Sequence, residues 1–185
     1  MKPVIIGISG AYSGAGKTTF ATLMLQRLKG WGAIKYTKTA IYCSVTDDSA
    51  ILSEEGKDTK KLLDAHAEKV LWVRSPSAGL KEILPMAVDK LFDVEGILVE
   101  GNSAVEILKP DIAVFVSGDK KKFKEGAEKT LSMADVVIYD KEPPEGTHAR
   151  AKRFSWSSVE ECVDYIIELV KKLETKRLGE SEIKK

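Results

Sequence analysis

Short apolar runs alternate with longer segments of helical periodicity along this chain of 185 residues. The apolar runs predict buried strands over residues 4–8, 33–37, 70–74, 97–100, 112–116 and 136–139. Between them, apolar residues recur three or four positions apart, which predicts helices over residues 18–29, 57–68, 80–92 and 159–173. Strands that alternate with helices are typical of a mostly parallel β-sheet with helices on both faces. The pattern therefore predicts an α/β fold of three layers, with the sheet between two layers of helices.

Three polar segments interrupt this pattern. Residues 44–58 contain several turn formers and are predicted to be the most mobile loop of the chain. The lysines among residues 120–124 are interpreted as a solvated face and not as a binding patch. Residues 176–185 are polar and are predicted to form a frayed C-terminal tail. No linker divides the remainder, so residues 1–175 are predicted to form a single domain.

The composition argues against several classes of protein. Lysine and arginine number 29 against 28 aspartates and glutamates, and this balance disfavours general attraction to nucleic acid or to an anionic membrane. Cys43 and Cys162 lack the spacing of a metal site, so a reduced, cytoplasmic setting is expected. No run of about 18 apolar residues occurs, and a membrane-spanning helix is therefore not expected. The partners of the protein must be argued from a specific site.

The segment GAYSGAGKTT, residues 10–19, follows the first predicted strand and opens the first predicted helix. In such a glycine-rich turn, backbone N–H groups can surround the phosphates of a nucleoside triphosphate. Lys17 is predicted to reach the β- and γ-phosphates, and Thr18 to bind Mg²⁺. The strict motif has glycine where this chain has Ala11, a mild departure beside Gly10. The predicted nucleotide contacts are Gly14, Ala15, Gly16, Lys17, Thr18 and Thr19.

Three further side chains are candidates for the same site. Glu100 ends a predicted strand, where a carboxylate can hold Mg²⁺ or polarise water. Glu100 and Lys17 are therefore the catalytic candidates. The alternative for Glu100 is a carboxylate that caps a loop. Lys35 lies at the end of the second strand and is a candidate phosphate contact, with a solvated edge lysine as the alternative. Asp47 in the polar loop is a candidate metal ligand, with an exposed turn former as the alternative.

The chain resembles the MobB family of molybdopterin-guanine dinucleotide biosynthesis adaptor proteins, which are P-loop NTPases. The resemblance rests on four motifs within residues 4–101, in the order GAYSGAGKTT, AIKYTK, EEGKDTKKLLDAHAEKVLWV and ILVEG. The third is the most informative, because the family has a G-K-D-[ST] run, a short helix and then a strand. The histidines that commonly follow the Lys35-type lysine are absent here. Tyr12 stands where ParA- and NifH-like proteins carry an extra lysine, which disfavours that branch.

The resemblance implies a Mg²⁺-dependent GTP-binding protein with slow GTP hydrolysis. It further implies a homodimer that assists the guanylyltransferase joining GMP to molybdopterin. Because the sequence lacks an N-K-x-D guanine-recognition motif, ATP stays open as the nucleotide. Two other functions stay open as well. One is an ATP-dependent small-molecule kinase or ligase similar to dethiobiotin synthetases, with an acceptor beside Glu100, Asn102 and Ser103; the other is a non-enzymatic nucleotide-sensing module.

Overall fold

The computed structural model describes residues 2–119 and 123–182. Within these residues eight strands form one sheet, in the order β3-β4-β2-β5-β1-β6-β7-β8. The strands are β1 Val4–Gly10, β2 Trp31–Lys38, β3 Ser44–Thr46, β4 Lys69–Ser75, β5 Gly96–Glu100, β6 Ile112–Val116, β7 Val136–Tyr139 and β8 Lys152–Ser155. The helices are α1 Lys17–Arg27, α2 Ser49–Leu52, α3 Asp58–Asp64, α4 Leu80–Asp89, α5 Asn102–Leu108, α6 Ala127–Ser132 and α7 Val159–Glu182. A short 3₁₀ turn, Trp156–Ser158, precedes α7.

The sheet is mostly parallel and is covered on both faces, as the sequence predicts. Every described strand pair is parallel except β3 with β4. On one face, α1 and α7 pack against β1 and α3 packs against β2 and β4, with Phe20, Leu62 and Ile166 fully buried. On the other face, α4 and α5 pack against β2, β4 and β5. The predicted three-layer α/β fold is confirmed.

This topology decides where a ligand can bind. β1 lies near the centre of the sheet, between β5 and β6. In open α/β sheets, ligands bind at the carboxyl ends of the strands, where the strand order reverses. The loop after β1 and the last residues of β2 and β5 therefore meet at this edge of the sheet.

Several predicted segments differ from the structure. The segment 44–58 contains β3 and α2, and Asp48 caps α2 by accepting a hydrogen bond from the N–H of Ala50 at 2.9 Å, so the predicted loop was wrong. α7 continues past residue 173, and Arg177 donates to Asp111 at 2.5 Å, so residues 176–182 are helical. The other predicted tail residues, 183–185, and lysines 120–122 lie outside the described residues.

Neither β8 nor α5 was predicted from the sequence. β8 has one buried side chain, that of Phe154, and α5 is a seven-residue helix directly after β5. Among the described residues, no helix combines the length and the apolar character needed to cross a lipid bilayer.

Candidate nucleotide-binding site

The loop between β1 and α1 depends on its glycines for its shape. Gly14 and Gly16 have φ angles of 87° and 100°, which side chains of L-residues rarely allow. A Cβ on Gly16 would also lie 2.6 Å from Cζ2 of Trp156. Ala11 is fully buried and its N–H donates to the carbonyl of Val116 at 3.0 Å. Among the described residues, positive φ outside glycine occurs only at His66 and Lys109, so the loop does not need glycine at position 11.

Lys17 folds back over this loop. It is the first residue of α1, and its Nζ donates to the carbonyl of Tyr12 at 2.9 Å. Burial and the positive charge of Lys124 lower the pKa of Lys17, while the negative charge of Glu100 opposes this shift. A bound phosphate would favour the charged ammonium and raise the pKa again. Lys17 thus lies where a phosphate ligand is required, at the mouth of the glycine loop.

The loop is also fixed from the side of β6. The hydroxyl of Tyr12 accepts from the N–H of Asp119 at 2.8 Å and donates to its carboxylate. The N–H of Lys124 donates to the carbonyl of Ala11 at 2.8 Å. Asn102, at the start of α5, exchanges two hydrogen bonds with the backbone of Gly10, at 3.0 and 2.9 Å. These contacts join the loop to the start of α5 and to residues that follow β6.

A row of polar side chains crosses the sheet edge beside the loop. Glu100 pairs in register with Lys35 of β2, and its side chain is only 2% exposed. One carboxylate oxygen accepts from the hydroxyl of Thr18 at 2.9 Å, and the other accepts from Lys35 Nζ at 2.5 Å. Lys35 also donates to Asp58 at 2.7 Å. The row therefore links the loop helix to α3 through three charged groups.

The charges in this row stabilise one another. Burial acts to lower the pKa of Lys35, but Glu100 and Asp58 outweigh it and raise this pKa. Burial acts to raise the pKa of Asp58, but its hydrogen bonds from Lys35 and Lys61 outweigh that effect and lower it. Lys35 and Asp58 therefore each favour the charged form of the other.

The loop and this row border a cleft of about 700 Å³. That size lies in the range of pockets that take cofactors and nucleotides. The predicted nucleotide contacts Gly14, Gly16, Lys17, Thr18, Thr19 and Lys35 all line it, as does the catalytic candidate Glu100. Ala15 is buried beneath the loop, and its N–H donates to the carbonyl of Tyr12 at 3.4 Å. The structure thus brings together the side chains that the two separate motifs predict.

The donor set at the junction of loop and sheet fits Mg²⁺. Thr18 supplies a hydroxyl and Glu100 a carboxylate, and Mg²⁺ prefers such oxygen ligands. The described residues contain no group of three or more histidines, cysteines, aspartates or glutamates that could hold a metal alone. Mg²⁺ suits this arrangement because it commonly keeps several waters and uses phosphate oxygens with one or two protein ligands.

The structure does not bring Asp47 to the cleft. Its carboxylate is exposed and lies 3.3 Å from Nζ of Lys90. β3 runs antiparallel to β4, so the chain leaves β3 away from the edge at which the parallel strands end. The candidate metal-binding role of Asp47 therefore finds no geometric support.

Three cleft residues escaped the sequence analysis. Lys124 was grouped with the solvated lysines, yet it lines the cleft, and partial desolvation together with the charge of Lys35 lowers its pKa. Asp58 was quoted within G-K-D-T without a role, and Asn102 was considered only beside an acceptor. Asn102 comes two residues after the glutamate that ends a strand. This position is the one local signal that could have indicated the contact of Asn102 with Gly10.

The sheet, the loop after β1 and the residues around it define the fold of a P-loop NTPase. Solved structures with this fold include the hydrogenase maturation factor HypB from Archaeoglobus fulgidus, with 16% identity, 91% of each chain covered and a TM-score of 0.57. HypB from Helicobacter pylori, solved in complex with nickel, is 11% identical, with 92% of this chain and 88% of that chain covered and a TM-score of 0.52. No protein-family model matches the chain, and no curated protein matches its sequence.

Proposed function

We propose that this protein binds GTP with Mg²⁺ in the cleft and hydrolyses it slowly. The convergence of Lys17, Thr18 and Glu100 on one side of the glycine loop carries this proposal. Lys17 and the loop N–H groups would hold the β- and γ-phosphates, and Thr18 would bind Mg²⁺ directly. Mg²⁺, when bound, would neutralise charge on the phosphates. Lys35, with one N–H beyond its two carboxylate partners, would reach toward the terminal phosphate.

Slow hydrolysis follows from the bonding of Glu100. Both of its carboxylate oxygens already accept hydrogen bonds, one from Thr18 and one from Lys35. A carboxylate held in this way is suited to orient a metal-bound water and poorly suited to take a proton from an attacking water. Glu100 is therefore assigned to metal binding in the first place, and its catalytic contribution acts through that metal.

We further propose that the protein is a cytoplasmic, homodimeric adaptor in the biosynthesis of molybdopterin guanine dinucleotide. It would assist the guanylyltransferase that joins GMP to molybdopterin. The four motifs that resemble the MobB family support this role, because each contributes a side chain to the cleft. These side chains are Lys17, Lys35, Asp58 and Glu100.

A small-molecule kinase or ligase that uses ATP is the second candidate. Ser103 lines the cleft beside Glu100 and would suit an acceptor there. Asn102 lines it as well, but its amide is already bonded to Gly10. Turnover of ATP that rises on addition of a small-molecule acceptor would favour this candidate.

The test is a panel of equilibrium titrations with GTP, GDP and ATP, each with and without Mg²⁺. We expect GTP to bind more tightly than ATP and Mg²⁺ to strengthen its binding. The guanylyltransferase reaction is then followed with molybdopterin and GTP in the presence and absence of the protein. Binding of ATP without affinity for guanine nucleotides would reject GTP as the ligand. An unchanged guanylyltransferase rate would reject the adaptor role.

A further inference from the structure

A second cavity of about 100 Å³ adjoins the nucleotide cleft. It shares Lys35, Thr37 and Asp58 with the cleft, so the two spaces lie side by side. Its other lining residues are Lys57, Thr59 and Trp72. The nucleotide site described above gives no role to Lys57 or Trp72.

The lining of this cavity offers hydrogen-bond donors. The hydroxyl of Thr37 accepts from the indole N–H of Trp72 at 2.9 Å, which leaves its own proton to be donated. Lys57 uses one of its three N–H groups on Glu54, at 2.7 Å, so two are left to be donated. A ligand with several acceptor oxygens would satisfy the donors that are left.

The carboxylate in this lining is already occupied. Of the six lining residues, Asp58 alone has a carboxylate. One of its oxygens accepts from Lys35 at 2.7 Å, and the other accepts from Lys61 at 3.3 Å. Asp58 therefore leaves little acceptor capacity for a cation and does not repel an anion as strongly as a free carboxylate would.

Two cations lie within cation–π distance of the ring of Trp72, which lines the cavity. The ammonium of Lys57 lies 4.8 Å from the centroid of the Trp72 ring, and the guanidinium of Arg74 lies 4.4 Å from it. Arg74 donates to the hydroxyl of Ser44 at 3.0 Å, and within the described part of the chain no ion pair joins it to a carboxylate. Both cations add positive charge close to the Trp72 side of the cavity, and this charge favours an anion there.

The volume limits what can enter. About 100 Å³ corresponds to roughly three water molecules at their share of liquid volume, which is room for one tetrahedral or planar oxyanion. The remainder of any such ligand would extend into the neighbouring cleft.

We propose that this cavity is an oxyanion subsite for the phosphate or carboxylate group of a second small-molecule ligand. Lys57 and Thr37 donate to that group, and Lys35 lies between it and the nucleotide's terminal phosphate. The position of the subsite relative to a terminal phosphate rests on the proposed nucleotide site, whereas the binding of the anion itself does not.

The test follows the indole N–H resonance of Trp72 in ¹⁵N-labelled protein, assigned by its loss in Trp72→Phe. Inorganic phosphate is titrated first and acetate second, because they distinguish a phosphate from a carboxylate ligand. One titration uses wild-type protein saturated with a non-hydrolysable GTP analogue and Mg²⁺. The other uses Lys17→Ala without nucleotide, in which the glycine loop competes less for phosphate.

We expect a saturable shift of the Trp72 resonance in both backgrounds. Lys57→Met should raise the Kd for the preferred anion about tenfold, which is the loss expected for one charged hydrogen bond. The matched control is Lys60→Met, because Lys60 lies in α3, which begins directly after Lys57, but pairs with Asp64 at 2.8 Å and lines neither cavity. Its Kd should equal that of the wild type.

Two outcomes would overturn the subsite. One is the absence of a saturable shift with both probes in both backgrounds, and the other is an equal Kd in Lys57→Met and Lys60→Met. Failure of GTP to bind, with the phosphate response kept in Lys17→Ala, would reject the proposed function and leave the subsite standing.

Discussion

Replacing Glu100 by glutamine tests the polar row at its centre. The glutamine keeps the shape of the side chain, but its NH₂ group takes the place of one acceptor oxygen. Either Thr18 or Lys35 then faces a donor in a site that is 2% exposed. A buried donor that is left without an acceptor costs about 1–3 kcal/mol of stability. Lys35 keeps Asp58, so the loss should stay below the roughly 3–5 kcal/mol typical of a fully broken buried ion pair.

Two measurements on Glu100→Gln follow from this reasoning. Thermal unfolding without nucleotide should show a decrease in Tm of roughly 2–4 °C for each kcal/mol lost, as expected for a chain of this size. The strengthening of GTP binding by Mg²⁺ should decrease about 10- to 100-fold, as when a residue that orients a metal site is changed.

The control for this change is Glu106→Gln. Glu106 is 43% exposed and pairs with Lys129 at 3.3 Å on the surface. Its free energy of unfolding should stay within about 0.5 kcal/mol of the wild type. If Glu100→Gln matched Glu106→Gln in both Tm and Mg²⁺ dependence, the structural and metal-binding roles of Glu100 would both be refuted.

Three other changes probe the loop and its neighbours. Gly16→Ala should lower the free energy of unfolding in urea by about 1–3 kcal/mol and weaken GTP binding, because of its φ of 100° and the contact with Trp156. Adding Trp156→Ala to the same chain should recover only the part of this loss that comes from the contact with Trp156. Full recovery of the stability would show that the φ of 100° carries no strain. Because burial lowers the pKa of Lys17 in the free protein, GTP affinity should fall as the pH rises through that pKa, below 10.5. Calorimetry across this pH range should show proton uptake on binding, and no uptake at any pH below 10.5 would contradict the shift. The pKa of Asp58 is lowered by Lys35 against the effect of burial, so the stability from this pair is present above pH 3.8 and lost as the pH falls through the folded-state pKa. In Asp58→Asn, the free energy of unfolding should therefore depend less on pH in this acid range. An unchanged pH dependence would argue against the pair.

The layers of the fold were predictable because they depend on local patterns. β6 consists of five buried residues, and such a run identifies a central strand without any knowledge of its neighbours. β8 could not be identified in this way, since only one of its four side chains is buried. The order of the strands in the sequence does not determine their order in the sheet. The order in the sheet depends on the pairing of β1 with β5 and β6, which are distant from it in sequence.

The candidate site was predictable to the extent that its residues are close in sequence. The loop from Gly10 to Thr19 specifies its own geometry through positive φ angles and the helix that follows. The partners of Lys35 lie 23 and 65 residues away and meet it through the register of β2 with β5 and the start of α3. Such contacts depend on tertiary packing, for which no spacing in the sequence is a signal.

The failure at Asp47 has the same origin. An acidic residue in a polar loop that follows a strand near the site resembles a metal ligand as long as the loop is taken to contain no strand of its own. The antiparallel pairing of β3 directs the chain away from the cleft, and Lys90 then pairs with the carboxylate. The direction of a three-residue edge strand is not encoded in its own apolar pattern.

The binding of GTP at the glycine loop is tested most directly by isothermal titration of GTP with Mg²⁺ into the wild type, Lys17→Ala and Lys29→Ala. Lys29 is exposed just beyond α1 and serves as the matched control. We predict one site per chain in the wild type and in Lys29→Ala, and a Kd raised at least about 100-fold in Lys17→Ala. Equal affinity in all three proteins, or no binding to the wild type, would contradict the assignment of this cleft as a nucleotide site.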